Sequence, residues 1–139
     1  MLFKNYKELI ENGKDKKIRE IRKDILDILS YSLKSVDPYK SVKKMFSKSN
    51  IFVENKKIDL SNFKEVYLVS FGKASVGMAQ AVCDSIKVKK GFTVTNEKQN
   101  KVENKKILTF VGSHPIPNGN SVNAASEIIN LVKNCNKKR

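Results

Sequence analysis

Residues 65–86 read Glu65-Val-Tyr-Leu-Val-Ser-Phe-Gly-Lys-Ala-Ser-Val-Gly-Met-Ala-Gln-Ala-Val-Cys-Asp-Ser-Ile86, a pattern that predicts a strand, a tight turn and a helix. Val66, Tyr67, Leu68, Val69 and Phe71 are the residue types a buried strand prefers. Gly72 allows a sharp turn that a Cβ would resist. Beyond it, Val76, Ala79, Val82 and Ile86 recur at helical spacing and define one apolar face. A second face of small residues, Ala74, Gly77 and Ala81, is expected to let the helix lie close to a sheet. The turn brings free backbone N–H groups, a helix N-terminus and Lys73 to one point, which suits an anion.

Before this unit, a polar segment runs to about Lys17. Ile18, Ile21, Ile25, Ile28, Leu29 and Leu33 then predict an amphipathic helix ending near Val36. Asp37-Pro38 reads as a helix restart, with Asp37 as N-cap and Pro38 at the first helical position. Tyr39, Val42, Met45 and Phe46 line the buried side of that second helix. Residues 51–60 predict a small hairpin. After the Lys73 helix come a strand at Gly91–Thr95, a polar connection from Glu97 to Lys106, and a strand at Ile107–Val111. Gly112-Ser-His-Pro-Ile-Pro-Asn-Gly-Asn120 is a loop fixed by Pro115 and Pro117 and turned at Gly112 and Gly119. Asn120 or Ser121 is expected to cap a final helix carrying Val122, Ala125, Ile129 and Val132 on one face.

Alternating strands and helices predict an α/β, Rossmann-like parallel sheet with flanking helices, preceded by an N-terminal helix pair. The expected organisation is one α/β domain over residues 1–139, with the helix pair at 18–48 and the sheet and its helices at 51–135. Ligands of such sheets sit outside the carboxyl ends of the strands. The loops at 70–75 and 112–120 both follow strands, so they should open on one edge of the sheet.

The chain of 139 residues is one domain or less in size and carries a formal charge of +14. Its basic residues are spread along the chain, and only Arg19, Arg22 and Arg139 are arginines. No aromatic residues interleave with the lysines as a base-stacking surface needs, so a solvated basic surface is favoured over a nucleic-acid partner. Cys83 and Cys135 lie in predicted helices without metal-ligand spacing and read as reduced thiols of a cytoplasmic protein. There is no apolar run of membrane-spanning length and no signal-peptide pattern at the N-terminus, so no membrane partner is expected.

The turn is not a Walker A loop, because position 67 is Tyr where that motif needs Gly. Gly72-Lys-Ala-Ser-Val-Gly77 is closer to a dinucleotide fingerprint, but Ala74 puts a methyl where backbone must approach a pyrophosphate. Glu97 lies where a ribose-binding acid would sit, which keeps a nicotinamide-binding alternative in view. Lys73 opposes the helix macrodipole unless an anion joins it; position alone leaves it open between an anion ligand and a solvated lysine. His114, the single histidine, is open between catalysis and a structural hydrogen bond. With no Cys or carboxylate cluster near it, no metal site is expected. Ser75 and Ser113 lack the nucleophile-elbow context.

Val69-Ser-Phe-Gly-Lys-Ala-Ser-Val-Gly-Met-Ala79 and Gly112-Ser-His-Pro-Ile-Pro-Asn-Gly-Asn-Ser121 resemble the N-terminal region of the glycerate 2-kinase (MOFRL) family, whose members are often labelled hydroxypyruvate reductases. The resemblance runs from about Ile18 and includes the Asp-Pro restart. It implies ATP-dependent phosphoryl transfer to the 2-hydroxyl of D-glycerate, giving 2-phosphoglycerate and ADP, with Mg²⁺. It places the family's catalytic lysine on Lys73, and a substrate site on Gly72, Lys73, Ser75, His114 and Asn118. There are two departures from the family pattern: Ser113 stands where Gly is usual, and Asn118-Gly119 where an acid is usual. Family members are at least twice as long, and their later glycine-rich loops and C-terminal domain have no counterpart before Arg139. The resemblance therefore implies an incomplete part of a two-domain enzyme, inactive alone and completed by a C-terminal half or a second polypeptide, with homo-oligomerisation left open. The competing expectations are an NAD(P)H-dependent hydroxypyruvate reductase and a non-catalytic nucleic-acid-binding or interaction module. The last would expose an apolar patch where the missing domain belongs.

Overall fold

In the computed structural model, which describes residues 2–135, the strand, turn and helix at the centre of the chain form as the pattern predicts. The chain divides by its contacts into two units, Met1–Asp37 and Pro38–Arg139.

The first unit holds α1 (Tyr6–Glu11) and α2 (Lys16–Ser35). The polar N-terminal segment thus contains a short helix that the polar pattern does not announce. It is held by tertiary bonds: Arg22 Nη1 donates to Leu9 O at 2.5 Å, and Tyr6 Oη to Asp27 at 2.6 Å. Asp15 caps α2 by accepting from the Ile18 amide at 2.9 Å. The isoleucine stripe forms on α2 but no α2 residue is buried, and Ile28 is 65% exposed.

The second unit begins with α3 (Pro38–Lys43), with Pro38 at the first helical position as expected. The expected continuation of that helix to Phe46 and beyond does not occur. Phe46–Ser47 is instead β1, the first strand of an antiparallel sheet completed by β2 (Asn50–Val53) and β3 (Lys56–Asp59). Its turns place Lys48 and Glu54 at φ of 53° and 52°, positions where Asn or Gly is the usual choice. The turn signal was therefore weak in the residues themselves. A 3₁₀ turn at Leu60–Asn62 leads into β4 (Tyr67–Phe71), followed by α4 (Ser75–Cys83), β5 (Lys90–Thr95), β6 (Ile107–Val111) and α5 (Gly119–Lys133).

β4, β5 and β6 form a parallel sheet in that order. Helices α4 and α5 flank it, so the chain has the α/β architecture expected. The stripe on α4 packs against one face: Ala79 joins Val88, Val102 and Ile107 in the core, with Leu68, Val76, Val82, Cys83 and Ile86 around them. The small-residue face has a different use from the one expected. A Cβ on Gly77 would lie 3.4 Å from Pro38 Cγ and 3.7 Å from the Tyr39 amide, so that face receives α3 and not the sheet. Tyr39 Oη bonds Asp84 at 2.9 Å and Lys43 Nζ bonds the Asp84 carbonyl at 2.6 Å, fixing α3 on α4. A helix has room for two neighbours, and spacing alone does not say which face meets which.

The opposite sheet face carries Phe92 and Phe110, whose ring centroids are 5.8 Å apart. They share a cavity wall with Asn123, Ser126 and Glu127 of α5. Among the described residues no helix is long and apolar enough to cross a membrane.

Both cysteines are free thiols; Cys83 is partly buried and Cys135 exposed. Burial, then the neighbouring Asp84 charge, pushes the Cys83 thiol above its ordinary value. Less thiolate is therefore available at pH 8. Cys135 is expected to react first with an aromatic disulfide reagent and Cys83 clearly more slowly, as two resolved phases.

Candidate functional site

β4 delivers the chain to Gly72, which sits at φ 104°, a conformation that Cβ-bearing residues rarely adopt. The Gly72 amide donates to Val94 O at 3.0 Å, and the Ser75 amide returns to Gly72 O at 3.1 Å. These two N–H groups are spent inside the turn, so fewer amides are on offer than the bare sequence suggests. Ala74 stands at the N-cap of α4 and supplies no side-chain acceptor. The leading amides of α4 therefore lack the side-chain partner that Ser, Thr, Asp or Asn would give. Lys73 is exposed at this point, and among the described residues its ammonium has no ion-pair partner.

β6 delivers the second loop. The Gly112 amide donates to Thr95 O at 2.8 Å, and a Cβ on Gly112 would lie 2.8 Å from Ser121 Oγ. Ser121 Oγ accepts from the amides of Ser113 and Asn118, each at 3.3 Å. Asn120 Nδ2 donates to Val111 O at 3.2 Å. The His114–Pro115 peptide is cis. The start of α5 thus holds the histidine loop in place over the strand ends.

The two loops do open on one edge. Gly72, Lys73, Gly112, Ser113, His114 and Ser121 line a single cavity of about 250 Å³, together with Val94, Thr95 and Asn96 at the end of β5. A second cavity of about 600 Å³ lies beyond the same loop, sharing Asn96 and Gly112–His114 and adding Lys98, Val111, Asn118 and Asn120.

Of the residues singled out in the sequence, Gly72, Lys73 and His114 are brought together. Ser75 is not on the cavity wall: it is 2% exposed, and its Oγ donates to Val94 O at 3.0 Å. Asn118, rather than Asn120 or Ser121, is the N-cap of α5. Its Oδ1 accepts from the Ser121 amide at 3.1 Å, and Ser121 reciprocates in a capping box. The competing expectation failed because Gly119 is a tolerated first helical residue, so the helix starts two positions earlier. Asn118→Ala is expected to cost about 1 kcal/mol of stability through the lost cap. Thermal melts of the chain check it, and Asn118→Asp, which keeps the cap acceptor, should restore the midpoint.

Thr95 and Asn96, which the motifs do not single out, also line the Lys73 cavity. Their only signal was position, since they stand at the carboxyl end of the central strand, where open α/β sheets bind ligands. Glu97, the candidate ribose ligand, has its carboxylate held by Asn100 Nδ2 and is absent from the wall of either cavity.

The Gly-Lys turn and the histidine loop thus share one cavity at the carboxyl edge of a parallel α/β sheet. A family model described as "Domain of unknown function (DUF4147)" matches residues 24–139. The chain belongs to that family. It is 31% identical over 115 residues to a glycerate 2-kinase of Pyrococcus horikoshii, covering 81% of this chain and 26% of that protein. It is 28% identical over 133 residues to a glycerate 2-kinase of Picrophilus torridus, covering 93% of this chain and 30% of that protein. A D-glycerate 2-kinase of Thermotoga maritima is 25% identical over 119 residues, covering 84% of this chain and 26% of that protein. The crystal structure of a protein from Pyrococcus horikoshii superposes with a TM-score of 0.71 at 30% identity, over 84% of this chain and 27% of that one. These three relatives carry a kinase name, and the reductase alternative gains no support from them. The chain spans between 26% and 30% of their length.

Proposed function

We propose that this chain forms one wall of the cleft of a glycerate 2-kinase, in which ATP phosphorylates the 2-hydroxyl of D-glycerate to give 2-phosphoglycerate and ADP. The observation that carries the reading is the shared cavity of Lys73 and His114, which unites the two sequence motifs of the family. Phosphoryl transfer asks for positive charge and oriented donors more than for covalent chemistry. Lys73 supplies the charge, two residues ahead of an α4 that carries no side-chain cap. An anion held there relieves the opposition between the lysine and the helix dipole. At about 250 Å³ the cavity suits a small hydroxy acid better than a nucleotide, since drug-sized ligands occupy roughly 300–1,000 Å³. His114 adds a ring nitrogen able to donate to or accept from such an acid.

Mg²⁺ prefers carboxylate and phosphate oxygens. The wall of the Lys73 cavity holds no carboxylate, and among the described residues no three His, Cys, Asp or Glu gather. The residues present do not fit a magnesium site, and none of the steps assigned to this chain runs through the metal. The nucleotide-metal complex belongs, on this reading, to the remaining part of the fold, and the chain alone is inactive. Its place is the cytoplasm, with Cys83 and Cys135 reduced.

The test is a coupled assay for 2-phosphoglycerate with ATP, Mg²⁺ and D-glycerate. The 139-residue chain alone should give no product, and the chain combined with the rest of the family fold should give product. Turnover by the chain alone, or hydroxypyruvate-dependent oxidation of NAD(P)H, would overturn the reading.

A further inference from the structure

We propose that the amino-terminal edge of the parallel sheet carries a second anion site, separate from the Lys73 cavity, which takes a small organic molecule bearing two or more phosphate groups. The proposal goes beyond the kinase reading and does not depend on it.

The site follows from topology. Lys64 stands just ahead of β4, Lys87 and Lys89 ahead of β5, and Lys106 ahead of β6. These strands run parallel, so the segments that enter them share one edge. Gly72, Asn96 and Gly112 leave the same strands at the other edge. The Lys89 amide donates to Val66 O at 2.8 Å and the Gly91 amide to Lys106 O at 3.0 Å, which ties the three entries together. Lysines that are spread along the sequence are thereby gathered in space.

They line a cavity of about 500 Å³, joined there by Lys48 from the turn between β1 and β2. Lys48 holds φ 53°, a conformation that favours Asn or Gly. The one carboxylate on this wall is Glu65. Lys89 Nζ lies 2.8 Å from it, and Tyr67 Oη donates to it at 2.6 Å. Its charge is therefore spent on Lys89. Lys48, Lys64, Lys87 and Lys106 have no ion-pair partner among the described residues. Like charges around one concave space repel each other and focus a positive potential into it. A multiply charged anion relieves that repulsion.

The ligand class follows from charge and size. An ammonium is a compact point charge with rotatable donors, well suited to phosphate oxygens. One phosphate group carries at most about two negative charges, so two or more are needed to match four free lysines. The volume falls in the range of roughly 300–1,000 Å³ that small-molecule sites occupy. Leu60, Phe63 and Ile86 add apolar wall for an organic moiety, and Phe63 is exposed. Phe63 is the single aromatic side chain on the wall, whereas a nucleic-acid strand is tracked by successive stacking residues.

The experiment titrates the 139-residue chain with ADP, pyrophosphate and inorganic phosphate, without Mg²⁺, by calorimetry and amide NMR. Each titration is repeated in Lys73→Ala, which separates binding at the other edge. ADP and pyrophosphate should bind 1:1, with their largest shifts at residues 63–66, 85–89 and 106 in both proteins. Inorganic phosphate should bind at least about tenfold more weakly. The double variant Lys87→Gln, Lys106→Gln should cost at least about tenfold in affinity for ADP and pyrophosphate. Lys56→Gln with Lys57→Gln removes the same charge from β3, off the cavity wall, and should cost nothing. Glu65→Gln releases Lys89 and should tighten binding. Tighter binding of ADP than of pyrophosphate, lost in Phe63→Ala, supports a nucleotide as the ligand; equal binding of the two supports a polyphosphate without a base. The proposal is overturned by shifts confined to residues 72–75 and 112–121, or by an equal loss of affinity in the Lys56, Lys57 variant. A short oligonucleotide that binds these same residues at least about a hundredfold more tightly than ADP overturns it too, in favour of a nucleic-acid partner. Failure of the chain to take part in making 2-phosphoglycerate defeats the kinase reading and leaves this site standing.

Discussion

Replacing Lys73 by alanine in the reassembled enzyme is expected to lower kcat about 100- to 1,000-fold, the usual cost of removing one positioned charge or donor from a developing anion. Lys73 is exposed and has no ion-pair partner among the described residues, so its removal should leave the stability of the chain unchanged. The loss should fall on kcat more than on KM if the ammonium meets the group in transfer. A loss confined to KM would assign it instead to holding the substrate carboxylate. Lys73→Arg should recover only part of the rate, since a planar guanidinium does not replace a compact ammonium. Steady-state assays of the three proteins, with thermal melts alongside, decide the matter. Wild-type kcat in Lys73→Ala would remove Lys73 from the chemistry.

Gly91→Ala should be the most damaging single change to the fold. Gly91 lies in the central strand, in register with Leu68 on one side and Ile107 on the other. A Cβ there would stand 2.5 Å from the Leu68 carbonyl oxygen and 2.8 Å from both Leu68 Cβ and Ile107 Cδ1. The nearest obstacle is backbone oxygen, which cannot turn aside as a flexible side chain can. The added methyl must therefore push strands apart or lift α4 from the sheet. Overpacking of this kind costs about 1–3 kcal/mol, and the backbone contact puts this site at the upper end. Against a total stability of about 5–15 kcal/mol, that is a large share. Urea titration should show a lower midpoint with little change of slope. An unchanged midpoint would mean that the strands at this point are more loosely packed than the distances say.

The two strongest expectations, a parallel sheet and convergent loops, were legible because each rested on a repeated pattern. Apolar runs alternating with helical spacing named the strands, and the rule that loops after parallel strands share an edge placed Lys73 beside His114. The weaker expectations turned on single residues. The spacing of Phe46 from Val42 predicts a helical residue, yet Phe46 pairs with Ile51 in an antiparallel strand. The turn that allows this uses Lys48 at positive φ, which residue type does not disclose. The substrate role expected of Ser75 meets a hydroxyl already donating to Val94 O, a bond between residues distant in sequence.

By itself the sequence determined the local forms: the Gly72 turn, the helix that follows, the α/β class and the family resemblance that its two motifs carry. Periodicity and glycine placement are local properties, so one chain read in order is enough to show them. Tertiary structure alone decided the partners of each face. It gave Gly77 to α3, Ala79 to the sheet and Asn118 to the start of α5, and it left Phe71 and Val69 uncovered. Those outcomes depend on which distant segments compete for the same apolar surface and the same unpaired amides. No spacing within a single helix or strand encodes that competition.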